Sequence, residues 1–470
     1  MRNIERLLLF LYLPLLLWPW LPASQSLLWL PIVGVLFLLL HVIFERHRWQ
    51  MVPLYLLITF ELYFALNCFP NQCKAWPWWA SVLGLVAWFT SLVLGGVLPV
   101  PSLPKPSGPF GIGTVKFHLI DDQRKEIYSG NPNDLRELVV QVWYPRDKKA
   151  GGQRAPWIEG TKKFSAFALK IIHYPGFLMD HLVLAKSHSI QDAPLSSEQS
   201  NYPVILFSHG FTGFMEQNIA QMEELASHGY VVMAPSHTYW SLATVFPDGR
   251  VILPDPDAFP RDAKPDELMQ AFNRVVRQWQ ADLKFVLDHF EHLNQHDPAG
   301  RFTQRLDMER VGVMGHSTGG GAALEFSSSD KRCKALLAMD LWSEPVSDEV
   351  IEAGVDIPTL LMFSETWNSS IDLSITYRRL AQMMENLKAP GYQLTIAGTK
   401  HQDLTTMTFL SPVMARYLRF RGSVNPRRAM KIVNTYVVAF FDKYIQVQDT
   451  NLLDTGSVYF PEVSYAAPII

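Results

Sequence analysis

Cysteine is scarce in this chain, three among 470 residues at Cys68, Cys73 and Cys333, too few for a disulfide-stapled scaffold. Charge is thin as well: 18% of side chains are Asp, Glu, Lys or Arg, and 41 Lys and Arg nearly cancel 44 Asp and Glu, leaving a net charge of −3. Nucleic-acid binding draws its affinity from clustered cations that release counterions, so this balance argues against a nucleic-acid partner. The hydrophobic share of 48% excludes a mainly disordered chain. No repeat of solenoid period is evident, which sets stacked-repeat architectures aside. What remains is length enough for two or three domains with a large core.

Charge is scarcest in the first hundred residues, which hold four apolar blocks at 7–21, 27–44, 52–69 and 76–98. A helix crossing the hydrocarbon takes about 20 mostly apolar residues. The last three blocks approach that length, while the first is short and carries Pro14 and Pro19. Block one either opens an all-α membrane domain of about four spans or is a signal peptide, since Arg2 and Arg6 precede it and Ala23-Ser24 follows. The three blocks behind it favour the span. Arg2, Arg6, Arg46, Arg48 and Lys105 share one side and the opposite loops carry only Lys74, so the positive-inside rule expects everything after Val100 in the cytoplasm, in an integral protein of the inner or plasma membrane. In the outward loop Cys68 and Cys73 flank Pro70, where a disulfide and two thiols are equally expected. Glu61 lies inside block three; a carboxylate there marks a function or sits at a helix interface, and the interface is expected. The stretch PVPSLPKPSGP that follows cannot continue a helix and acts as a semi-rigid spacer. It separates a membrane domain, 1–99, from a larger domain, 110–470, with 100–109 as linker.

Beyond the spacer, runs rich in Val, Ile and Leu recur at 138–144, 204–207, 230–234, 311–314, 335–339, 359–363 and 392–396. Helical patterns lie between them, the clearest placing Met269, Phe272, Val276, Trp279, Leu283, Val286, Leu287 and Phe290 three or four apart. Strand followed by helix, repeated, predicts an α/β fold: a mostly parallel sheet covered on both faces, with functional residues at the carboxyl ends of its strands.

Residues 311–324 read VGVMGHSTGGGAAL, an apolar strand entering Gly-His-Ser-Thr-Gly and then small residues that start a helix. That context marks a nucleophile elbow with Ser317 at its tip, the arrangement of an α/β-hydrolase. A serine hydroxyl needs a base, and the chain order in this fold is Ser, acid, His. Of 14 histidines only His401 follows Ser317, on the loop after the last of those strands. Two carboxylates end strands at the right edge, Asp340 and Glu365; in most enzymes of the fold the later strand carries the acid, which favours Glu365. The tetrahedral intermediate needs backbone N–H donors. The segment PVILFSHGFTG, 203–213, supplies the N–H of Phe211, and the N–H of Thr318 is the second. His209 is expected to be a structural loop residue, His316 to pack beside the elbow, and His237 to line the pocket. His289, His292 and His296 share a helix face, but no H-E-x-x-H or cysteine pair accompanies them, so no metal site is expected. The apolar stretch 164–184 is either a lid, or face resting on lipid, or a buried helix pair.

Taken together, these segments resemble the platelet-activating factor acetylhydrolase family of α/β-hydrolases, the lipoprotein-associated phospholipase type, from about Gly108 to Pro412. The carriers are GPF at 108–110, VWYP at 142–145, LFSHGF at 206–211, ELASHGYVV at 224–232, GHSTGG at 315–320, AMDLW at 338–342 and GTKHQD at 398–403. The resemblance puts the acid on Asp340, the histidine on His401 and the oxyanion donors on Phe211 and Thr318. It implies calcium-independent hydrolysis of carboxylic esters, often short or oxidised acyl chains of phospholipids. Animal members usually carry Phe where this chain has Thr318, which makes the pocket wall smaller and more polar. The N-terminal spans are absent from secreted members and point to a membrane-anchored bacterial-type member.

The expectation is therefore a serine esterase working through an acyl-enzyme on Ser317, with a lipid or small ester as partner and neither metal nor organic cofactor. Two other classes remain: a membrane sensor or transporter whose hydrolase-like domain only binds a ligand, and an acyltransferase sharing the acyl-enzyme.

Overall fold

A computed structural model describes residues 2–16, 29–68, 78–171, 173–254, 264–369, 374–448, 450–455 and 459–469. Pro19, Ala23, Ser24, Pro70, Cys73 and Lys74 lie outside the described residues, and with them the cleavage site and the disulfide considered above. The chain divides into two compact units. One comprises Met1–Pro101 with Phe177–Ala185 and Leu410–Leu418, the other Ser102–Gly176, Lys186–Phe409 and Arg419–Ile470.

The first unit is built on four helices, α1 (Asn3–Leu15), α2 (Trp29–Glu45), α3 (Val52–Cys68) and α4 (Trp78–Val97). Among the described residues, two are long and apolar enough to cross a membrane: α4, and α3 together with its 3-10 lead-in as Trp49–Asn67. α2 has 17 residues and α1 has 13, both short of a span by that test. Large apolar side chains such as Leu36, Ile43, Leu56, Leu83 and Phe89 point outward, while Gly34, Gly84 and Gly95 face inward. Small residues inside and bulky ones outside let the helices approach closely. Polar groups tie the helices together. The buried Arg48 guanidinium donates to both Glu5 oxygens at 2.6 and 2.8 Å and to the Leu98 carbonyl at 2.7 Å. Glu61 occupies a helix interface, accepting the Tyr12 hydroxyl at 2.6 Å.

The second unit carries an eleven-stranded sheet among the described residues. Its strands are β1 (Gly111–Lys125), β2 (Leu135–Arg146), β3 (Arg154–Pro156), β4 (Lys186–Gln191), β5 (Tyr202–Ser208) and β6 (Val231–Ser236), then β9 (Leu306–His316), β10 (Cys333–Met339), β11 (Thr359–Ser364), β12 (Gly391–Ile396) and β13 (Val463–Ile469). A separate hairpin holds β7 (Thr244–Val245) and β8 (Val251–Ile252). The order is β13-β12-β11-β10-β9-β5-β6-β2-β1-β4-β3, and the central run from β12 to β6 is parallel throughout. Each of the seven apolar runs read from the sequence is one of these strands.

Four helices that cover the sheet matter for the site. After α5 (Thr161–Ile171) come α6 (Ile219–Ser227), α7 (Pro265–Gln295) and α8 (Thr318–Ser329), with a further helix at Pro426–Tyr444. Strand residues alternate between faces: Val204, Leu206, Val311 and Val313 join Leu283, Val286, Leu287 and Phe290 of α7 and Leu324 of α8 in one core. The opposite face meets Pro426–Tyr444. There a Cβ on Gly312 would lie 2.7 Å from the Phe441 ring and 2.8 Å from Ile205, so only glycine lets that helix close on β9.

Candidate active site

The parallel strands end on one edge, and the elbow stands there. β9 runs to His316, Ser317 turns the chain at φ 56°, ψ −123°, and α8 begins at Thr318. This backbone conformation costs a non-glycine residue about 1–3 kcal/mol and clusters at functional positions. The flanking glycines follow from steric contact: a Cβ on Gly315 would lie 2.2 Å from the Gly319 carbonyl oxygen, and one on Gly319 would lie 2.2 Å from that of His209. The Ser317 N–H donates to Met339 and the Ser317 carbonyl accepts the Trp342 N–H, which pins the elbow to the end of β10. Ser317 itself is half-buried.

Asp340 leaves β10 at φ 44° and is fully buried. One carboxylate oxygen accepts the Ser364 N–H at 2.7 Å; the other takes the Ser364 hydroxyl at 2.7 Å and meets His401 Nδ1 at 2.9 Å. The rival acid goes elsewhere. Glu365 is exposed and accepts the Gly398 N–H at 2.7 Å, so it supports the loop leading to His401 rather than the imidazole.

His401 opens a one-turn 3-10 helix, His401–Leu404, after β12. Buried Asp403 holds that turn by accepting the N–H groups of Lys400 and Gly422 at 2.9 and 2.6 Å; burial pushes its carboxyl up from the ordinary range. The Trp367 indole stacks on His401 at 4.4 Å and 13°, and the His316 ring lies 4.3 Å away. His316 Nε2 is 3.2 Å from the His401 carbonyl oxygen. The elbow and the His401 loop, 85 residues apart, are thus joined.

The loop after β5 carries Phe211. Its turn closes through the Gly213 N–H on the Gly210 carbonyl at 2.9 Å. Thr318 begins α8, where a first-turn N–H has no carbonyl partner within its own helix. Beside them Phe211, Phe272 and Trp342 form an aromatic row, with edge contacts of 5.7 and 4.4 Å.

A second polar constellation lies beneath this loop, buried apart from the half-buried Arg124. His237 meets the Ser208 hydroxyl at 2.9 Å and Asp282 at 2.9 Å and stacks on Trp279 at 4.2 Å. Asp282 also takes Arg136 at 2.6 Å and Arg124 at 2.9 Å. Burial alone would raise the Asp282 carboxyl, but Arg136, the His237 hydrogen bond and Arg124 hold it well below its usual range. His237 therefore anchors the strand end instead of lining a pocket. His289 packs among Phe117, Phe285 and Phe290.

Among the described residues, two side-chain groups are dense enough to hold a cation, His316/Asp340/His401 and Glu5/His41/Glu45. Protein partners already engage both: Asp340 and Gln217 in the first, Arg48 and Arg2 in the second. Sequence reasoning missed Trp367, Ser364 and Gln217, which touch the site only through tertiary pairing. The sole local signal was that Ser364 ends a strand beside the one carrying Asp340.

A family model described as platelet-activating factor acetylhydrolase, isoform II, matches residues 96–456, well over half of the chain. The chain belongs to this family. Among its relatives, the platelet-activating factor acetylhydrolase of Gallus gallus is 25% identical over 385 residues, covering 76% of this chain and 87% of that protein. A probable 1-alkyl-2-acetylglycerophosphocholine esterase of Arthroderma benhamiae is 26% identical over 386 residues, covering 77% and 93%. The solved ferulic acid esterase from Streptomyces cinnamoneus superposes with a TM-score of 0.64 at 25% identity, over 78% of this chain and 99% of that one. Platelet-activating factor acetylhydrolase family membership and that superposition agree with an α/β-hydrolase fold for the second unit.

Proposed function

We propose that this member of the family is a membrane-anchored serine esterase that removes short or oxidised acyl groups from phospholipids or similar lipids. That it is a carboxylic ester hydrolase follows from its family and from relatives that include a 1-alkyl-2-acetylglycerophosphocholine esterase, cutinases and a ferulic acid esterase.

In this reading the Ser317 hydroxyl attacks the ester carbonyl while His401 Nε2 takes its proton, and the backbone N–H groups of Phe211 and Thr318 hold the oxyanion. His401 then returns the proton to the departing alcohol, leaving an acyl group on Ser317. Water, deprotonated by the same imidazole, releases the acid. Asp340 keeps His401 in the tautomer with Nδ1–H and stabilises the imidazolium.

The observation that carries the reading is the 2.9 Å contact between His401 Nδ1 and a fully buried Asp340, on a loop hydrogen-bonded to the residue before Ser317. The aromatic row of Phe211, Phe272 and Trp342 offers an apolar wall for an acyl chain.

The anchor is supported by the two helices of span length. Arg2, Arg6, Arg46, Arg48 and Lys105 share one side of the four apolar blocks, which by the positive-inside rule supports a cytoplasmic catalytic part. Ser317→Ala should lower turnover of p-nitrophenyl esters by about 10⁶-fold and abolish fluorophosphonate labelling of intact membranes. A ligand-binding module would not label at Ser317 at all. An ester panel graded by chain length, with and without vesicles, tests the substrate class; indifference to both chain length and lipid would reject a lipid ester.

A further inference from the structure

Two buried imidazoles flank the elbow, and the chemistry above uses neither. We propose that His209 and His316 are positioning residues, each locked in one neutral tautomer: His209 aims the Phe211 N–H through its Nδ1–H, and His316 fixes the backbone of His401 through its Nε2–H. The inference rests on the esterase reading of Ser317 and assigns what sets that enzyme's oxyanion donor and base.

For His209 the partners dictate the proton. Nδ1 lies 2.8 Å from the Gly210 carbonyl oxygen, which only accepts, so Nδ1 donates. Nε2 faces the His237 backbone N–H at 3.3 Å, which only donates, so Nε2 accepts; the Ser241 hydroxyl at 2.9 Å donates to it as well. The Gly210 carbonyl thus takes two hydrogen bonds, from His209 and from the Gly213 N–H. In a planar trans peptide the carbonyl and the following N–H point in opposite directions, and the structure contains no cis peptides among the described residues. Fixing the Gly210 oxygen therefore fixes the direction of the Phe211 N–H. The Ser208–His237–Asp282 chain holds the end of β5 from which this loop departs.

His316 has the opposite tautomer. Its Nδ1 is 3.0 Å from the amide nitrogen of Gln217, a donor, so Nδ1 accepts. Its Nε2 is 3.2 Å from the His401 carbonyl oxygen, an acceptor, so Nε2 donates. Gln217 also takes the Thr406 N–H on its own carbonyl at 2.9 Å, gripping the same loop a second time. Both rings are essentially sealed from solvent. Burial first, and then the neighbouring His237 and His401 respectively, hold their pKa values well below the ordinary histidine range. A charged His316 would oppose the imidazolium that forms 4.3 Å away on His401.

Because the tautomers differ, the amide side chains separate them. Asn places its N–H₂ near the position of Nδ1, and Gln places it near Nε2. With the full-length chain in detergent and a p-nitrophenyl ester as substrate, Ala at either position should lower kcat by about 10²-fold with KM nearly unchanged. At 209, Asn should restore most of that loss and Gln should not; at 316, Gln should restore it and Asn should not. Ala variants with kcat near wild type, or Asn and Gln acting alike or in reversed order, would overturn the proposal. Thermal melts identify variants that fail to fold. For any such position the nitrogen-15 spectrum of the wild-type imidazoles decides: a neutral Nδ1–H ring for His209 and a neutral Nε2–H ring for His316 between pH 6 and 8 are expected, and a charged ring or the other tautomer rejects the assignment. Ser317→Ala in the same assay separates the two levels. Full turnover there defeats the esterase reading itself, whereas an inactive Ser317→Ala beside unaffected histidine variants defeats only this inference.

Discussion

Single atoms decide what the elbow tolerates. A Cβ on Gly319 would stand 2.2 and 2.3 Å from the carbonyl oxygens of His209 and Ser208, and both belong to backbone that cannot rotate away. Gly319→Ala should therefore cost about 3 kcal/mol or more, at the upper end of overpacking, and should displace the oxyanion loop as well. Urea denaturation in detergent and kcat are the two measurements, and a variant equal to wild type in both would contradict the contact. The two acids separate in the same way. Asp340→Asn keeps the shape but favours the wrong His401 tautomer, and about 10⁴-fold of kcat should be lost. Glu365→Gln retains an oxygen for the Gly398 N–H, so its turnover should stay within about threefold of wild type. Strand order alone favoured Glu365 and the family resemblance chose Asp340, because both carboxylates end parallel strands on the same edge. Only the fold shows that Glu365 is occupied at Gly398 while Ser364 hands Asp340 to the imidazole.

Elements that were legible and elements that were not differ in how they are buried. The parallel strands β5, β6, β9, β10, β11 and β12 are covered on both faces and read as continuous apolar runs. β1 alternates, with Asp121 and Leu119 buried while Asp122 and Ile120 are exposed, and β4 reads Lys-Ser-His-Ser-Ile-Gln. Strands of that composition near a sheet edge give little signal above the surrounding loops. His401 was legible because no other histidine follows Ser317, but the buried histidine pairs were not, since His237 meets Asp282 and His316 meets His401 only after folding. Those pairs have a consequence for the strand ends that carry them. His209, His237 and His316 are all held below the ordinary value of 6.5, by burial first of all. A histidine whose folded pKa is depressed contributes stability that is fully present above the unfolded value. That stability drains away as pH falls from about 6.5 toward the folded value, because the unfolded chain binds the proton first. Each such group contributes a slope of about 1.4 kcal/mol per pH unit in that window. Melting temperature should be flat from pH 8 to 7 and fall steeply below 6.5, and His237→Gln should make the fall shallower. A melting temperature constant down to pH 5 would mean that these rings titrate normally.

For the molecule as a whole, the apolar N-terminal part is not a detachable leash. The compact unit that contains α1 to α4 also contains Phe177–Ala185 and Leu410–Leu418, segments that lie far along the chain. Within that unit the Trp49 ring meets Phe177 edge-on at 5.5 Å, and the Ser411 hydroxyl donates to the Val97 carbonyl at the end of α4. Pro412–Tyr417 then runs as a short helix with Val413 and Tyr417 exposed. A linker read from proline content alone placed the division at 100–109 and had no means of seeing that the chain returns twice. Removing residues 1–101 would strip both segments of their partners and add newly bared apolar surface to side chains such as Phe177, Val413, Tyr417 and Leu418 that are already exposed, and such surface drives association. The truncated chain, expressed without its helices, should elute as soluble aggregate or require detergent, and should melt below the full-length protein even though Ser317, Asp340 and His401 are all retained. Size-exclusion chromatography with and without detergent, followed by fluorophosphonate labelling, measures both effects. A monodisperse, fully labelled truncation in plain buffer would show that Phe177–Ala185 and Leu410–Leu418 hold their shape without the helices.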